Sequence, residues 1–198
     1  MKTGVDSIAF DERVFTEEEM QGLLIGNRIP KDYFVTKGKG ESDITIHAGS
    51  FHLALKDAEI ERYNIMTYSS ILPAIAKEIE KPARQIHGSV METIMACADA
   101  EQGERATAGI IYGWLYDRLT EKKYGGLVCE YNGNIEEETV KKQLRASLEE
   151  LYINGFSDDY HLDDIKIITE SFVPQKRFGT ALVALCFTNY LYPIIGRA

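Results

Sequence analysis

Two adjacent serines, Ser69 and Ser70, stand at the end of a strand-like run and shortly before Pro73. A serine hydroxyl group is a weak nucleophile unless its surroundings assist it, and Pro73 blocks a simple continuation of the strand because it removes a backbone donor. The alternation of a strand puts Asn64 on the same face as Tyr68, so an amide side chain is expected near the serine pair. The plainer interpretation of the pair is a turn that hydrogen-bonds its own backbone.

The stretch Ser69-Ser70-Ile71-Leu72-Pro73 resembles the self-cleavage site of pyruvoyl-dependent arginine decarboxylases. Other segments resemble that family in the same order along the chain: Gly40-Glu41-Ser42-Asp43, Asn64, Gly103-Glu104-Arg105-Ala106-Thr107-Ala108-Gly109, Leu127-Val128-Cys129-Glu130-Tyr131-Asn132-Gly133 and Arg177-Phe178-Gly179-Thr180-Ala181. The resemblance extends from about residue 31 to about residue 190. We therefore predict an N-terminal extension, residues 1–30, followed by a single decarboxylase domain, residues 31–198.

The resemblance implies that the chain makes its own prosthetic group. Ser70 Oγ would attack the Ser69 carbonyl and convert the peptide bond into an ester, which eliminates to dehydroalanine and hydrolyses to a pyruvoyl group at position 70. Residues 1–69 and residues 70–198 would then be separate chains that stay folded together. The covalently bound pyruvoyl group would condense with the amine of an amino acid substrate and accept electrons as carbon dioxide leaves. No metal ion is expected.

Asn64 and Glu130 are the remaining candidate catalytic residues. By resemblance, Asn64 positions the reacting groups and Glu130 donates a proton in turnover. The apolar neighbours of Glu130 in the sequence predict its desolvation, which raises the pKa of a carboxyl group and keeps the proton available. Without the resemblance, Asn64 would be an ordinary polar residue on a strand, and Glu130 would be an exposed residue on an edge strand.

The expected substrate pocket departs from the pattern of the family at one position. Arginine enzymes of the family carry an aspartate twelve residues ahead of the asparagine, and His52 occupies that position here. A neutral imidazole lacks the negative charge that would hold a guanidinium group. Either Asp43 or Glu41 replaces that acid as the substrate-binding group, or the enzyme decarboxylates an amino acid other than arginine.

Composition restricts the partners of the chain. The formal net charge is −9, which argues against nucleic acid or an anionic membrane as the main partner because both require a basic surface. A cationic substrate suits this charge better.

The start of the chain lacks a signal-peptide pattern and no segment is long and apolar enough to span a bilayer, so we predict a cytoplasmic protein. Cys97, Cys129 and Cys186 are widely separated, which predicts reduced core cysteines.

Three other classes of protein fit the sequence less well than the decarboxylase. A metal enzyme would require clustered ligands, whereas His47, His52, His87 and His161 are scattered without an HxxxH or HExxH spacing. A serine hydrolase would require a nucleophile elbow, and Gly-x-Ser-x-Gly is absent from the sequence. The remaining alternative is a non-catalytic paralogue that forms oligomers, binds a small ligand or nothing, and stays uncut.

Strand-like segments dominate the chain, with two or three helices, so we expect an α+β fold. The resemblance implies a layered α/β/β/α sandwich of mainly antiparallel sheets, assembled as a trimer or a hexamer. The apolar segment 179–190 is predicted to be a central strand, because both of its faces are hydrophobic.

Local patterns predict several further features. Residues 90–98 and 106–116 are expected to form a hairpin, and Lys37-Gly38-Lys39-Gly40 a flexible turn after a strand. Three helices are predicted from their N-cap residues. The first begins at Thr16, with Glu19 as the capping partner, and ends at Gly26. The second begins at Ser50, and the third at Asn134, with Glu137 as the capping partner.

Overall fold

Two β-sheets lie face to face in the computed structural model, which describes residues 23–83 and 85–197. The strands are β1 (Leu23–Ile25), β2 (Ile29–Pro30), β3 (Asp32–Ser42), β4 (Asn64–Thr67), β5 (Ile71–Pro73), β6 (Lys77–Glu78), β7 (Val90–Glu101), β8 (Ala106–Asp117), β9 (Lys123–Gly133), β10 (Tyr160–Phe172), β11 (Phe178–Phe187), β12 (Tyr190–Leu191) and β13 (Ile194–Arg197). The helices are α1 (His52–Asp57), which follows a π-helical turn at Ile46–Phe51, and α2 (Glu137–Gly155).

One sheet has four strands in the order β10-β8-β9-β5, and the other has five in the order β4-β7-β11-β3-β6. All pairs in the first sheet are antiparallel, whereas the second also contains the parallel pairs β4 with β7 and β3 with β6. The prediction of a central strand at 179–190 is confirmed, because β11 lies between β7 and β3.

Residues 29–191 form one compact unit. In a second unit, of which residues 23–28 and 192–197 are described, β1 pairs with β13.

Three hydrophobic clusters define the layers of the 29–191 unit. The inner cluster lies between the sheets and includes Ile94, Ile110 and Val183. A second cluster packs α1 on the outer face of the five-stranded sheet, and a third packs α2, through Leu144 among others, on the outer face of the four-stranded sheet. The α+β prediction is therefore confirmed, with mainly antiparallel sheets and two helices among the described residues.

Strand β3 runs without interruption through the segment that was predicted to be a flexible turn. Gly38 and Gly40 face α1, and a Cβ atom added at either position would lie 2.3 Å from a backbone oxygen, that of Ala54 or Ser50 respectively. The turn prediction was wrong because these glycines serve close packing: without side chains, β3 and α1 can approach each other closely.

We expect Gly40→Ala to lower the free energy of unfolding by about 1–3 kcal/mol, because the added methyl group overlaps the backbone of the helical segment. Urea denaturation of the variant and the parent measures the difference. Gly155→Ala is the matched control, because a Cβ atom there meets nothing within 4 Å and its stability should be unchanged or slightly higher. Equal stability of Gly40→Ala and the parent would contradict the close packing.

The predicted hairpin of residues 90–98 and 106–116 was also wrong. β7 pairs with β4 and β11, whereas β8 pairs with β9 and β10, so the two strands lie in opposite sheets. Their inner faces carry small side chains, including Ala96, Ala98, Ala106 and Ala108, which pack together in the inner cluster. Both strands are buried over most of their length, and facing each other across the core buries more apolar surface than pairing side by side.

The helix starts differ from their predicted caps. Ser50 lies within the π-helical turn, where its hydroxyl group is 2.9 Å from that of Thr180. Helix α2 begins at Glu137 with Glu136 as its N-cap, and no side-chain capping bond forms there. The predicted N-terminal helix begins outside the described residues, where Thr16 and Glu19 lie. Its predicted end is not helical, because Leu23–Ile25 form a strand.

Candidate active site

The dipeptide Ser69-Ser70 lies where the chain crosses from one sheet to the other. Strand β4 ends at Thr67 on the edge of the five-stranded sheet, and β5 begins at Ile71 on the edge of the four-stranded sheet. Ser69 is exposed and Ser70 is half-buried. The backbone N–H of Val128 donates to the Ser70 carbonyl oxygen at 3.1 Å, which fixes Ser70 to β9. The serine pair therefore connects an edge strand of one sheet with an edge strand of the other.

A tight turn surrounds the Ser69 carbonyl group, as the sequence indicated for this pair. The backbone N–H of Ile71 donates to the Ser69 carbonyl oxygen across a distance of 3.0 Å. Because this bond joins residues only two positions apart, it closes a γ-turn centred on Ser70. A donor therefore already faces the carbonyl oxygen that would carry negative charge if Ser70 attacked it.

The hydroxyl group of Ser70 contacts Glu130, 60 residues further along the chain. Ser70 Oγ lies 2.8 Å from Oε1 and 2.7 Å from Oε2 of Glu130, and the hydroxyl donates to the carboxylate. Burial raises the pKa of the Glu130 carboxyl group above its usual value, and the hydrogen bond from Ser70 opposes this rise. The carboxyl group thus has an altered proton affinity and direct contact with a hydroxyl group.

Asn64 lies at the start of β4 and does not hydrogen-bond to either serine. Its side-chain Nδ2 donates to the carbonyl oxygen of Gly88 at 2.8 Å, and Gly88 has a φ of 83°. The parallel pairing of β4 with β7 places Asn64 opposite Val90. In this chain the Asn64 side chain therefore contacts the turn before β7 and not the serine pair.

The candidate substrate-binding residues lie apart from the serine pair. His52 is the exposed first residue of α1, on the outer layer of the five-stranded sheet. Glu41 accepts hydrogen bonds from the backbone N–H groups of Gln175 and Lys176 at 2.6 and 3.0 Å. Asp43 Oδ1 similarly accepts the backbone N–H of Arg177 at 3.2 Å.

Both acids thus fix the loop that leads into β11. No hydrogen bond or ion pair between described residues connects His52, Glu41 or Asp43 with Ser70 or Glu130.

One buried acid beside the site was missed by the sequence interpretation. Glu92 lies on β7 with only 3% of its surface exposed, and its carboxylate accepts a hydrogen bond from the hydroxyl group of Tyr68. The signal was available, because Glu92 is a carboxylate within an apolar strand, as is Glu130.

Residues 23–83 and 85–197 contain no group of three or more His, Cys, Asp or Glu side chains arranged to hold a metal ion. Among the described helices, none is long and apolar enough to cross a membrane. All three cysteines are free: Cys186 is buried, and Cys97 and Cys129 are half-buried. Burial raises the pKa of the Cys97 thiol to about 12.

Residues 32–191 match the family described as pyruvoyl-dependent arginine decarboxylase. The chain is 32% identical to the pyruvoyl-dependent arginine decarboxylase AaxB of Chlamydia muridarum over 83% of its own length and 94% of that protein. Identity to the AaxB protein of Chlamydia trachomatis serovar L2 is 33% over the same shares of the two chains. Pyruvoyl-dependent arginine decarboxylase 2 of Methanosarcina mazei is 33% identical over 61% of this chain and 64% of its own.

Proposed function

The chain belongs to the pyruvoyl-dependent arginine decarboxylase family, and from this premise we propose that it cuts itself between Ser69 and Ser70 and then decarboxylates arginine to agmatine. The observation that carries the proposal is the contact of the Ser70 hydroxyl group with both oxygens of the half-buried Glu130 carboxylate. The nucleophile and a base are already within hydrogen-bonding distance of each other.

In maturation, Glu130 accepts the proton of Ser70 Oγ while Oγ attacks the carbonyl carbon of Ser69. The Ile71 N–H donates to the developing oxyanion, since it already faces this oxygen at 3.0 Å. The C–N bond then breaks and the Ser70 nitrogen takes up a proton, which leaves an ester between the two serines. Loss of the Ser70 Cα proton expels the Ser69 carboxylate, and hydrolysis of the resulting dehydroalanine releases ammonia and leaves a pyruvoyl group on residue 70.

The site fits this prosthetic group, because the group replaces the very side chain that Glu130 contacts. When present, the pyruvoyl group supplies an electron-withdrawing carbonyl that stabilises the negative charge left as carbon dioxide departs. Glu130 then acts as the acid and returns a proton to the substrate carbon that has lost carbon dioxide. Its burial favours the protonated form, which this role requires. Asn64 acts as a positioning residue through β4.

A neighbouring copy of the chain would complete the site. The single chain leaves β4 and β5 at sheet edges, and Met66 and Ile71 expose 52% and 70% of their surfaces beside the serine pair. Edge strands with exposed apolar side chains favour association. We therefore propose a trimer or a hexamer in which His52, Glu41 or Asp43 reaches the site from another copy. Light scattering in solution measures the mass of the assembly.

Intact mass spectrometry of the purified protein tests the proposal. Two chains are expected, residues 1–69 and residues 70–198, and the larger chain should resist Edman sequencing because its first residue carries a keto group instead of an amine. Carbon dioxide release from arginine tests the reaction. A protein of a single full-length chain without decarboxylase activity would favour the non-catalytic alternative. The cytoplasm remains the predicted compartment.

The alternative proposal is the same chemistry on an amino acid other than arginine, because His52 replaces the expected acidic contact. We expect His52→Asp to raise kcat/KM for arginine about tenfold or more, because a carboxylate adds charge-assisted hydrogen bonds worth about 1.5–3 kcal/mol each to a guanidinium group. Carbon dioxide release is measured for the parent and the variant with each of six amino acids: arginine, lysine, ornithine, histidine, aspartate and glutamate. Strong arginine preference in the parent, unchanged in His52→Asp, would place residue 52 outside the side-chain pocket.

A further inference from the structure

Half-buried Tyr68 lies directly upstream of the serine pair and contacts the buried residue Glu92. Glu92 pairs with Met66 across β4 and β7, and alternation places it on the inner face with Ile94. The Tyr68 hydroxyl group donates to its carboxylate. A carboxylate that is only 3% exposed requires hydrogen-bond donors, and Tyr68 supplies one of them from the segment that leads into the serine pair.

Tyr68 is held at three points on the five-stranded sheet. Its backbone N–H donates to the Thr93 carbonyl oxygen at 2.7 Å, and its ring centroid lies 5.6 Å from that of Phe187. The bond to Glu92 fixes the far end of the side chain. After Tyr68 the chain leaves this sheet. The backbone immediately before the Ser69 carbonyl group is therefore held in place by the contacts of Tyr68.

The other side of the scissile bond is fixed on the opposite sheet. Val128 binds the Ser70 carbonyl oxygen, and Glu130 binds the Ser70 hydroxyl group. Attack requires Oγ and the Ser69 carbonyl carbon to approach within the short turn between these anchors. We infer that Tyr68 and Glu92 form a positioning pair for self-cleavage: they hold the chain that enters the scissile bond so that the Ser69 carbonyl carbon faces Ser70 Oγ. The inference rests on the proposed function.

The pair acts before the cut and not in turnover. Once the peptide bond is broken, Tyr68 is the last residue but one of the smaller chain, and its backbone is no longer connected to residue 70. Loss of the tyrosine hydroxyl group should therefore slow maturation and leave the turnover of cut protein nearly unchanged. A residue needed only for general stability would change the melting temperature and would not separate the two rates.

Tyr68→Phe tests the pair, because it removes a single hydroxyl group. We expect cutting to slow about tenfold or more, followed on a denaturing gel after refolding of the uncut full chain, and kcat per cut chain to stay within about twofold of the parent. Tyr116→Phe is the matched control, because it removes a similar hydroxyl–carboxylate bond, to Asp164 at 2.6 Å, and should mature at the parental rate. Maturation of Tyr68→Phe at the parental rate would overturn the inference.

Two further measurements assign the affected step. Glu92→Gln keeps an acceptor for Tyr68, so it should slow cutting less than Tyr68→Phe, and the double variant should be no slower than Tyr68→Phe because the two residues act as a unit. Hydroxylamine cleaves the ester between the serines once attack has occurred. It should not restore cutting of Tyr68→Phe; restoration to the parental rate would move the defect to elimination and refute a role in attack.

These results are distinct from a failure of the proposed function. A parent protein that stays uncut and inactive would contradict the proposal that the chain is a self-cleaving decarboxylase. A parent that cuts normally while Tyr68→Phe also cuts normally contradicts only the positioning pair.

Discussion

Ser70→Ala should remain a single chain of 198 residues and release no carbon dioxide from any amino acid. The variant lacks the hydroxyl group that contacts Glu130, so no ester forms and no keto group arises at residue 70. A denaturing gel and an intact mass measurement record the cut, and carbon dioxide release records the activity. The loss should be complete, because residue 70 provides both the nucleophile for maturation and the carbon atoms of the prosthetic group.

Two variants serve as controls for Ser70→Ala. Ser69→Ala should still be cut, because only the backbone carbonyl group of residue 69 takes part and its side chain is exposed. Ser70→Cys should be cut at a changed rate, because a thiol at the same position remains a nucleophile. Cutting of Ser70→Ala at the same bond would show that the nucleophile is another group.

Glu130→Gln should slow both maturation and turnover, the latter by about 100-fold or more, because an amide neither accepts the Ser70 proton nor donates one to the substrate carbon. Cutting is measured on gels and kcat is measured per cut chain. Glu130→Asp retains the acid on a shorter side chain and should recover part of both rates. Parental kcat in Glu130→Gln would remove this residue from turnover.

The pH dependence of the two reactions should have opposite signs. Maturation uses the ionised carboxylate as a base, so its rate rises as the pH increases through the pKa of Glu130. Turnover uses the protonated acid, so kcat falls as the pH increases through that pKa. Because burial raises this pKa, both limbs should lie above the usual range of a glutamate. Maturation also removes the Ser70 hydroxyl group, whose hydrogen bond lowers the pKa, so the limb for turnover should lie at the higher pH.

Sequence patterns predicted the strands and the face alternation of the site better than they predicted contacts between segments. The placement of Asn64 and Tyr68 on one face follows from a period of two, and the strand pairing agrees with it. The contact between Ser70 and Glu130 depends on pairing of the three-residue strand β5 with β9. The two residues in contact lie 60 positions apart, and no local propensity determines the strand register that brings them together.

Local signals misled where tertiary packing took precedence. Gly38 and Gly40 have the composition of a turn, but the absence of their side chains is used to admit α1. A role of Glu41 and Asp43 toward the substrate stays a prediction; within this chain their carboxylates accept hydrogen bonds from backbone N–H groups of the loop before β11. Sequence alone does not reveal such partners, because they are main-chain atoms more than 130 residues away.

The strand order determines how the two chains would fold after the cut. Every described strand before residue 69 pairs with a strand after residue 70: β1 with β13, β2 with β12, β3 with β11 and β6, and β4 with β7. The uncut chain forms these pairs within one molecule, whereas the cut protein must bring two molecules together. Formation of one folded protomer should therefore change from first to second order in chain concentration after the cut, a step that precedes the proposed assembly of copies. Before self-cleavage a protomer could refold from one molecule, whereas after it the two fragments would have to associate in order to refold.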